Sequence, residues 1–374
     1  MRVLVDIYQL KVAKTGIRKY VEELITLIKE NGDKEFDYVF FPSLDQVISA
    51  APKGGMTLGQ RLTEQWKYFY HKQVALPRAV KRLEADFVVI PDYYAPMVPL
   101  AAHKIIVFHD TFFWENPERY GRLWWRYFRT MIMKGLSGRS SVLTISEHSK
   151  QQLKKVLPRT VQIDVLHHAQ RRQTKPERDT LSGLGLGKEK YFFHVGVFEI
   201  RKNLGLLIDA FAKFKSLKGN KEIKLVLAGA EPTGQTTNAL PLLKKKIEYL
   251  GLNGEVILPG YLSDAEIAGL YGNALAYVLP SSNEGFGYPI LEAFAYNCPV
   301  LISNHPALME VGGDAVRVFD QDNEEELSNS LEEICTKEEL RQELIRKGNH
   351  RLAHFDRNAY IVQLEKLMKS YLVE

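Results

Sequence analysis

Short apolar runs closed by glycine or proline alternate with longer amphipathic stretches along nearly the whole chain. Arg2 to Tyr8 alternates as an opening strand, and the stretch after Gly16 puts Tyr20, Val21, Leu24, Ile25 and Ile28 on one helical face. The same rhythm predicts strands at Tyr38 to Pro42, Phe87 to Ile90, Lys104 to Phe108, Val142 to Ile145 and Ile163 to Leu166. Thr63 to Leu83 reads as helical, broken or kinked at Pro77, and Asp45 to Gly59 as a mobile loop of small residues. Gln170 to Lys190, with Gly183, Gly185 and Gly187, reads as a linker. Beyond it come strands at Tyr191 to Val195, Ile223 to Ala228, Val256 to Leu258 and Leu275 to Leu279. Helices are expected at Leu206 to Phe214, Glu324 to Thr336 and Lys337 to Leu352, then an amphipathic Asp356 to Val373. Strands alternating with helices imply an α/β chain built on parallel sheets.

Length makes this two domains, since 374 residues exceed what one core usually supports. The boundaries expected are 1–170 and 188–355. Cys298 and Cys335 are the only cysteines, which excludes a disulfide framework or a zinc ribbon and suits a reducing, cytoplasmic setting. Val3 to Val5 is too short for a signal core, and no run approaches the ~18 apolar residues of a membrane span. The net charge of +5 is unevenly shared: residues 1–184 hold 29 Lys and Arg against 19 Asp and Glu, and the remainder 21 against 26. A basic first half calls for an anionic partner, a membrane surface or a nucleic acid.

The richest chemistry lies in Ser281 to Pro299. Gly285 and Gly287 disfavour a helix, Pro289 suits its first turn, and Ile290, Leu291, Ala293, Phe294 and Ala295 continue as a buried helix. On one continuous helix Glu284 and Glu292 would stand ~12 Å apart at 1.5 Å per residue. The glycine loop is expected to let them converge before a helix N-terminus, a place suited to phosphate. Carboxylates that accept from hydroxyls, beside an anion site, fit a phosphorylated sugar. Gly196, followed by Arg201 and Lys202 at a helix start, has the make-up of a diphosphate clamp. His109 and Asp110 fall at the carboxyl end of a strand, where open α/β sheets bind ligands. His167 and His168 lack further ligands at metal spacing, and Asp320-Gln321-Asp322 reads as a helix-entry loop.

Glu-Gly-Phe-Gly-Tyr-Pro-Ile-Leu-Glu-Ala from Glu284, with Gly196 and Glu199-Ile-Arg201-Lys202-Asn203, resembles the signature of the family-4 retaining glycosyltransferases. The resemblance implies the GT-B fold: two Rossmann-like domains facing across a cleft, with the last helix (356–374) crossing back to the first domain. It implies a nucleotide diphosphate-sugar donor, GDP-mannose being common among such relatives, and a glycan or lipid-linked glycan acceptor. His109, Glu284, Arg201 and Lys202 would be catalytic. Gly16, Glu292, Gly196, Tyr261, Gly285, Phe286 and Gly287 would bind the donor. No cofactor, catalytic metal or nucleic acid is expected. Asn297 stands where the family usually has glycine, and His168-Ala169 where it has Asn-Gly. The alternatives are a nucleotide-sugar epimerase of the same fold and a non-catalytic nucleotide-sugar-binding protein. Arg119 to Arg139 carries six basic residues and no acidic one, interleaved with Trp124, Trp125, Tyr127 and Phe128. It reads either as a helix docking on anionic lipid at the inner face of a membrane or as a domain helix with its aromatics in the core.

Overall fold

A computed structural model describes residues 1–13, 16–48, 58–119, 121–177, 180–187, 190–217, 222–232 and 237–372. The expectations for Lys14, Thr15, residues 49–57 and the boundary at Lys188 lie outside these. The chain divides into two compact units, Met1–Ala169 with Arg357–Glu374, and Gln170–Asp356.

The first unit holds β1 (Arg2–Asp6), β2 (Asp37–Phe41), β3 (Phe87–Ile90), β4 (His103–Phe108), β5 (Ser140–Thr144) and β6 (Gln162–Val165), ordered β2-β1-β3-β4-β5-β6. The second holds β7 (Tyr191–Val195), β8 (Lys224–Ala228), β9 (Val256–Gly260), β10 (Ala276–Leu279), β11 (Val300–Ser303) and β12 (Arg317–Phe319), ordered β12-β11-β10-β7-β8-β9. Every pairing is parallel. Helices cover both faces of such sheets, so central strands such as Phe87–Ile90 and Val300–Ser303 are buried throughout and read as continuous apolar runs. Winding reverses between β1 and β3 in one unit and between β7 and β10 in the other. The crevice beyond the strand ends at such a reversal is where this architecture takes its ligands.

The last helix, Arg357–Ser370, belongs to the first unit: Arg357 pairs with Glu23 and Glu30, and Tyr360 meets Tyr20, hydroxyl to hydroxyl, at 3.0 Å. The helical stretch around Pro77 starts earlier than expected. Helix Leu58–Tyr70 passes through one π-turn, His71–Ala75, into helix Leu76–Arg82. Proline has no N–H for the carbonyl four residues back, and the widened turn absorbs the misfit without ending the helix. Leu44–Ile48 is helical within the stretch read as loop.

The linker expectation also changes. Gln173 donates to the Ala295 carbonyl, the Thr174 backbone N–H donates to the Tyr296 hydroxyl at 2.7 Å, and Glu177 N–H reaches the Ala265 carbonyl at 3.1 Å. A short helix, Thr180–Gly183, follows. These polar residues are a strap on the second unit, which composition alone could not distinguish from a tether.

Candidate active site

The two loops at the β7/β10 reversal are tied to each other. Past β7 the chain turns at Gly196 into a single 3₁₀ turn, Ile200–Lys202, and Asn203 in the left-handed conformation (φ 52°) starts helix Leu204–Ser216. Past β10, Ser282 donates to the Arg201 carbonyl through its backbone N–H at 2.8 Å and its hydroxyl at 3.1 Å. Glu284 then receives Lys202 Nζ on Oε1 at 2.5 Å and Arg201 Nη1 on Oε2 at 3.0 Å. Arg201 Nη1 also donates to the Asn283 carbonyl at 3.1 Å, and its Nε donates to Glu199 at 2.6 Å. Burial alone would raise the Glu284 carboxyl, but the adjacent Lys202 and Arg201 charges outweigh it and hold it down at about 2. Glu284 is therefore a carboxylate, an acceptor only, between two cations.

The glycines have different reasons. Gly287 takes φ 98° before helix Tyr288–Ala295, and a Cβ there would strike Leu308 Cδ2 at 2.5 Å. A Cβ on Gly229, which follows β8, would lie 1.7 Å from the Gly196 carbonyl oxygen, so the turn after β7 needs a bare backbone beside it. Phe286 is a packing residue: its ring is buried against Phe355 and Tyr288, leaving only its backbone for a ligand. Tyr261 follows Gly260 (φ 80°) with its side chain 80% exposed.

Glu292 is the fifth residue of its helix, within its first turn or so, and its hydrogen bonds are made to other groups than those of Glu284. Arg171 Nη1 donates to Oε1 at 2.5 Å and the Tyr271 hydroxyl approaches Oε2 at 3.4 Å, while the Arg171 guanidinium lies 3.8 Å over the Tyr288 ring.

In the first unit His109 follows β4, and its Nε2–H donates to the Pro91 carbonyl at 2.9 Å. Only the protonated ring nitrogen can face a carbonyl, so Nδ1 carries the lone pair. Burial lowers the His109 pKa, although the Pro91 bond and Asp92 oppose it, and the ring is a neutral acceptor near pH 7. Such a group accepts from a sugar hydroxyl; a phosphate oxygen offers it no proton. His109 also lies edge-on to Tyr20 at 4.7 Å and stacks with His168 at 5.8 Å. His168, unassigned from the sequence, is thus a neighbour of His109. Asp110 accepts the Phe112 backbone N–H at 3.1 Å and shapes the turn. Gly16 opens helix Gly16–Asn31, and nothing lies within 4 Å of where its Cβ would be, so packing does not require glycine there.

Residues 181–351 match the family model for glycosyl transferases group 1. The second unit is a group 1 glycosyltransferase domain. Among characterised relatives, the chain is 24% identical over 362 residues to the O-antigen chain mannosyltransferase RfbU of Salmonella typhimurium, covering 94% of this chain and 95% of that one. It is 28% identical to O-antigen chain mannosyltransferase B of Escherichia coli over 244 residues, 64% of this chain and 62% of that protein. Sucrose-phosphate synthase from Thermosynechococcus elongatus superimposes with a TM-score of 0.76 over 100% of this chain and 99% of its own, at 16% identity, a likeness that shows the GT-B fold. The chain is an enzyme that transfers sugar from a nucleotide sugar.

In this glycosyltransferase Asp320 and Asp322 serve the entry of helix Glu324–Thr336. Asp320 accepts from Asn304 and from the Asp322 backbone, and Asn323 caps the helix through the Glu326 N–H. The Glu284 ion pairs also generate a stability prediction. Glu284→Gln leaves Lys202 and Arg201 facing an amide, and should cost about 3 kcal/mol at pH 7, the low end for breaking a buried pair. With the folded pKa depressed from 4.5 to about 2, the carboxylate's stabilisation is complete above pH 4.5 and lost as pH falls through about 2. Urea unfolding across that range should show wild type and variant converging at low pH; a gap independent of pH contradicts this.

Proposed function

We propose that the enzyme transfers mannose from GDP-mannose to a hydroxyl of a glycan or lipid-linked glycan, with retention and without a divalent ion. The mannosyltransferases among its relatives support the sugar. The observation that carries the reading is the Arg201–Lys202–Glu284 cluster at the β7/β10 reversal. A guanidinium fork and an ammonium, already placed and partly dehydrated, match a departing diphosphate and supply the charge a metal would otherwise bring. Glu284 holds sugar hydroxyls, and Glu292 the ribose diol. A carboxylate has about four lone-pair sites, and Arg171 with Tyr271 engages two, so two accept from a vicinal diol. Gly196, Gly285, Phe286, Gly287 and Gly16 offer backbone, Tyr261 a face for the base, and His109 an acceptor for a sugar hydroxyl. The acceptor attacks from the face the diphosphate leaves, and the departing phosphate helps to take its proton.

Donor hydrolysis across a panel of nucleotide sugars tests this. GDP release from GDP-mannose, unchanged in excess EDTA, is expected. Sugar isomerised without transfer would point to an epimerase, and binding without turnover to a non-catalytic protein. Activity lost in EDTA and restored by Mg²⁺ would return attention to Asp320 and Asp322. Glu292→Ala should weaken GDP binding by ~10- to 150-fold, from charge-assisted hydrogen bonds worth ~1.5–3 kcal/mol. Unchanged calorimetric affinity would remove Glu292 from the site.

The reading includes docking of the first unit on anionic lipid. Helix Arg122–Gly135 is shorter than expected and divides its aromatics. Met131 and Ile132 are buried, Trp125 stacks on Phe113, and Leu123 (83% exposed), Trp124 and Tyr127 face outward with Arg122, Arg126 and Arg129. Helix Leu58–Tyr70 also turns its apolar face out, with Leu62, Trp66 (64%), Phe69 and Tyr70 all exposed. A ring ladder, Tyr68–Tyr94 at 5.4 Å and Tyr94–Phe128 at 5.6 Å, joins the two helices. Among the described residues no helix is long and apolar enough to cross a membrane. Each engaged arginine contributes ~1 kcal/mol within a Debye length of ~8 Å. Co-sedimentation with anionic but not neutral vesicles, lost at high salt and after Arg122, Arg126 and Arg129 become Glu, is expected. No binding by folded wild type at low salt overturns docking.

A further inference from the structure

His194 lies in β7, in the run Phe192-Phe193-His194-Val195, and is completely buried. Its Nδ1–H donates to the Val278 carbonyl of β10 at 2.8 Å, and its ring stacks on Tyr277 at 5.9 Å and 12°. Because Nδ1 faces a carbonyl it holds the proton, which leaves Nε2 a lone pair. Burial lowers the pKa to about 4, with the charge of Lys202 acting in the same direction, so the ring is neutral at pH 7. That Nε2 is buried and, among the described residues, has no hydrogen-bond partner. Leaving a buried acceptor unpaired is unfavourable, whereas phenylalanine would fill the same space between aromatic neighbours. Where it points is shown by Gly196: a Cβ there would lie 3.3 Å from His194 Nε2 and 3.7 Å from Lys202 Cε. The imidazole and the lysine stem line one small space at the floor of the cluster.

We propose that His194 is a positioning residue for Lys202, a fixed neutral acceptor that receives the ammonium when Glu284 turns to the donor sugar. The inference rests on the roles proposed above for Lys202 and Glu284. An ammonium has three N–H groups, and Lys202 is almost entirely buried. In the structure Glu284 Oε1 takes one of them. A diphosphate oxygen takes a second during the reaction. If Glu284 is drawn towards sugar hydroxyls, the ammonium needs another acceptor on the protein side to stay aimed at the leaving group. A carboxylate there would hold the lysine in a competing salt bridge. A neutral imidazole whose tautomer is set by Val278 restrains it and leaves its charge available.

The test is a double-mutant cycle on turnover of GDP-mannose, or of whichever nucleotide sugar the panel shows to be used, with GDP affinity measured alongside. His194→Phe keeps the shape and removes the lone pair. It should lower kcat ~10-fold or more while donor KM and GDP affinity stay within ~3-fold, and His194→Gln, which retains a donor and an acceptor, should recover part of the loss. In a Lys202→Ala background the same substitution should have no further effect on kcat. An unchanged kcat in His194→Phe overturns the proposal. So does a loss of equal size with and without Lys202, because the histidine would then act through the fold. Should His194→Phe not fold, His194→Leu, which also lacks the lone pair, carries the cycle with the same criteria. A Lys202→Ala enzyme with wild-type turnover would instead refute the parent reading of the site, a result distinct from either outcome for His194.

Discussion

Glu284, together with Ser282, holds together two loops that the sheet itself leaves apart. At a winding reversal, the chain leaves neighbouring strands in opposite directions, and no hydrogen-bond ladder continues past their ends. In the second unit the carboxylate spans that gap, with Lys202 on one oxygen and Arg201 on the other, both from the loop after β7. Dehydrating three charges costs several kcal/mol per ion, and the attraction between them roughly repays it. Apolar side chains of similar volume could join the same loops with no loss of stability. The charges thus contribute little to the fold that cheaper residues could not. What they add is chemistry: acceptors and cations held in place beyond the ends of β7 and β10.

Much of this was legible because parallel sheets and helices write themselves locally. A strand buried on both faces is an apolar run, and a covering helix repeats its apolar positions every three or four residues. The loop after β10 could be read from Glu284, Gly287 and Pro289, because a left-handed glycine and a first-turn proline are constraints on single residues. Asn297 shows the same: it stands where the family has glycine and adopts φ 55°, a conformation asparagine tolerates.

Partners distant in sequence were not legible. Arg171 meets Glu292 across 121 positions, and nothing in an arginine within a polar stretch foretells it. The strap from Gln170 onwards looked like a tether because its bonds run to the backbone and hydroxyls of helix Tyr288–Ala295 and its neighbours, a pattern with no signature. His194 was hidden by apolar neighbours that make it read as one more strand residue. Helix Leu58–Tyr70 fails differently. Its period is clear, but a period says only that one face is apolar, not that this face meets the core. Here Tyr68 packs inward while Leu62, Trp66 and Phe69 face solvent.

The winding reversal of the first unit shows what makes the second one useful. There too a lysine is set among carboxylates at the strand ends: Lys72 donates to Asp6, at the end of β1, at 2.7 Å and to Asp92, beyond β3, at 3.0 Å. His71 occupies the other Asp6 oxygen at 2.9 Å, and Tyr68 and Gln9 also reach Asp92. Both donors come from the start of the π-turn, where two successive residues, His71 and Lys72, address one carboxylate. Burial would raise the Asp6 pKa, but Lys72 and then His71 hold it far below the usual range. Lys72 and Asp6 have no exposed surface, and no oxygen of Asp6 is left without a donor, so this cluster is sealed. Lys202 and Glu284 keep side-chain exposures of 10% and 11%. That small opening, with the buried His194 ring behind it, separates a cluster sealed from solvent from one that solvent still reaches.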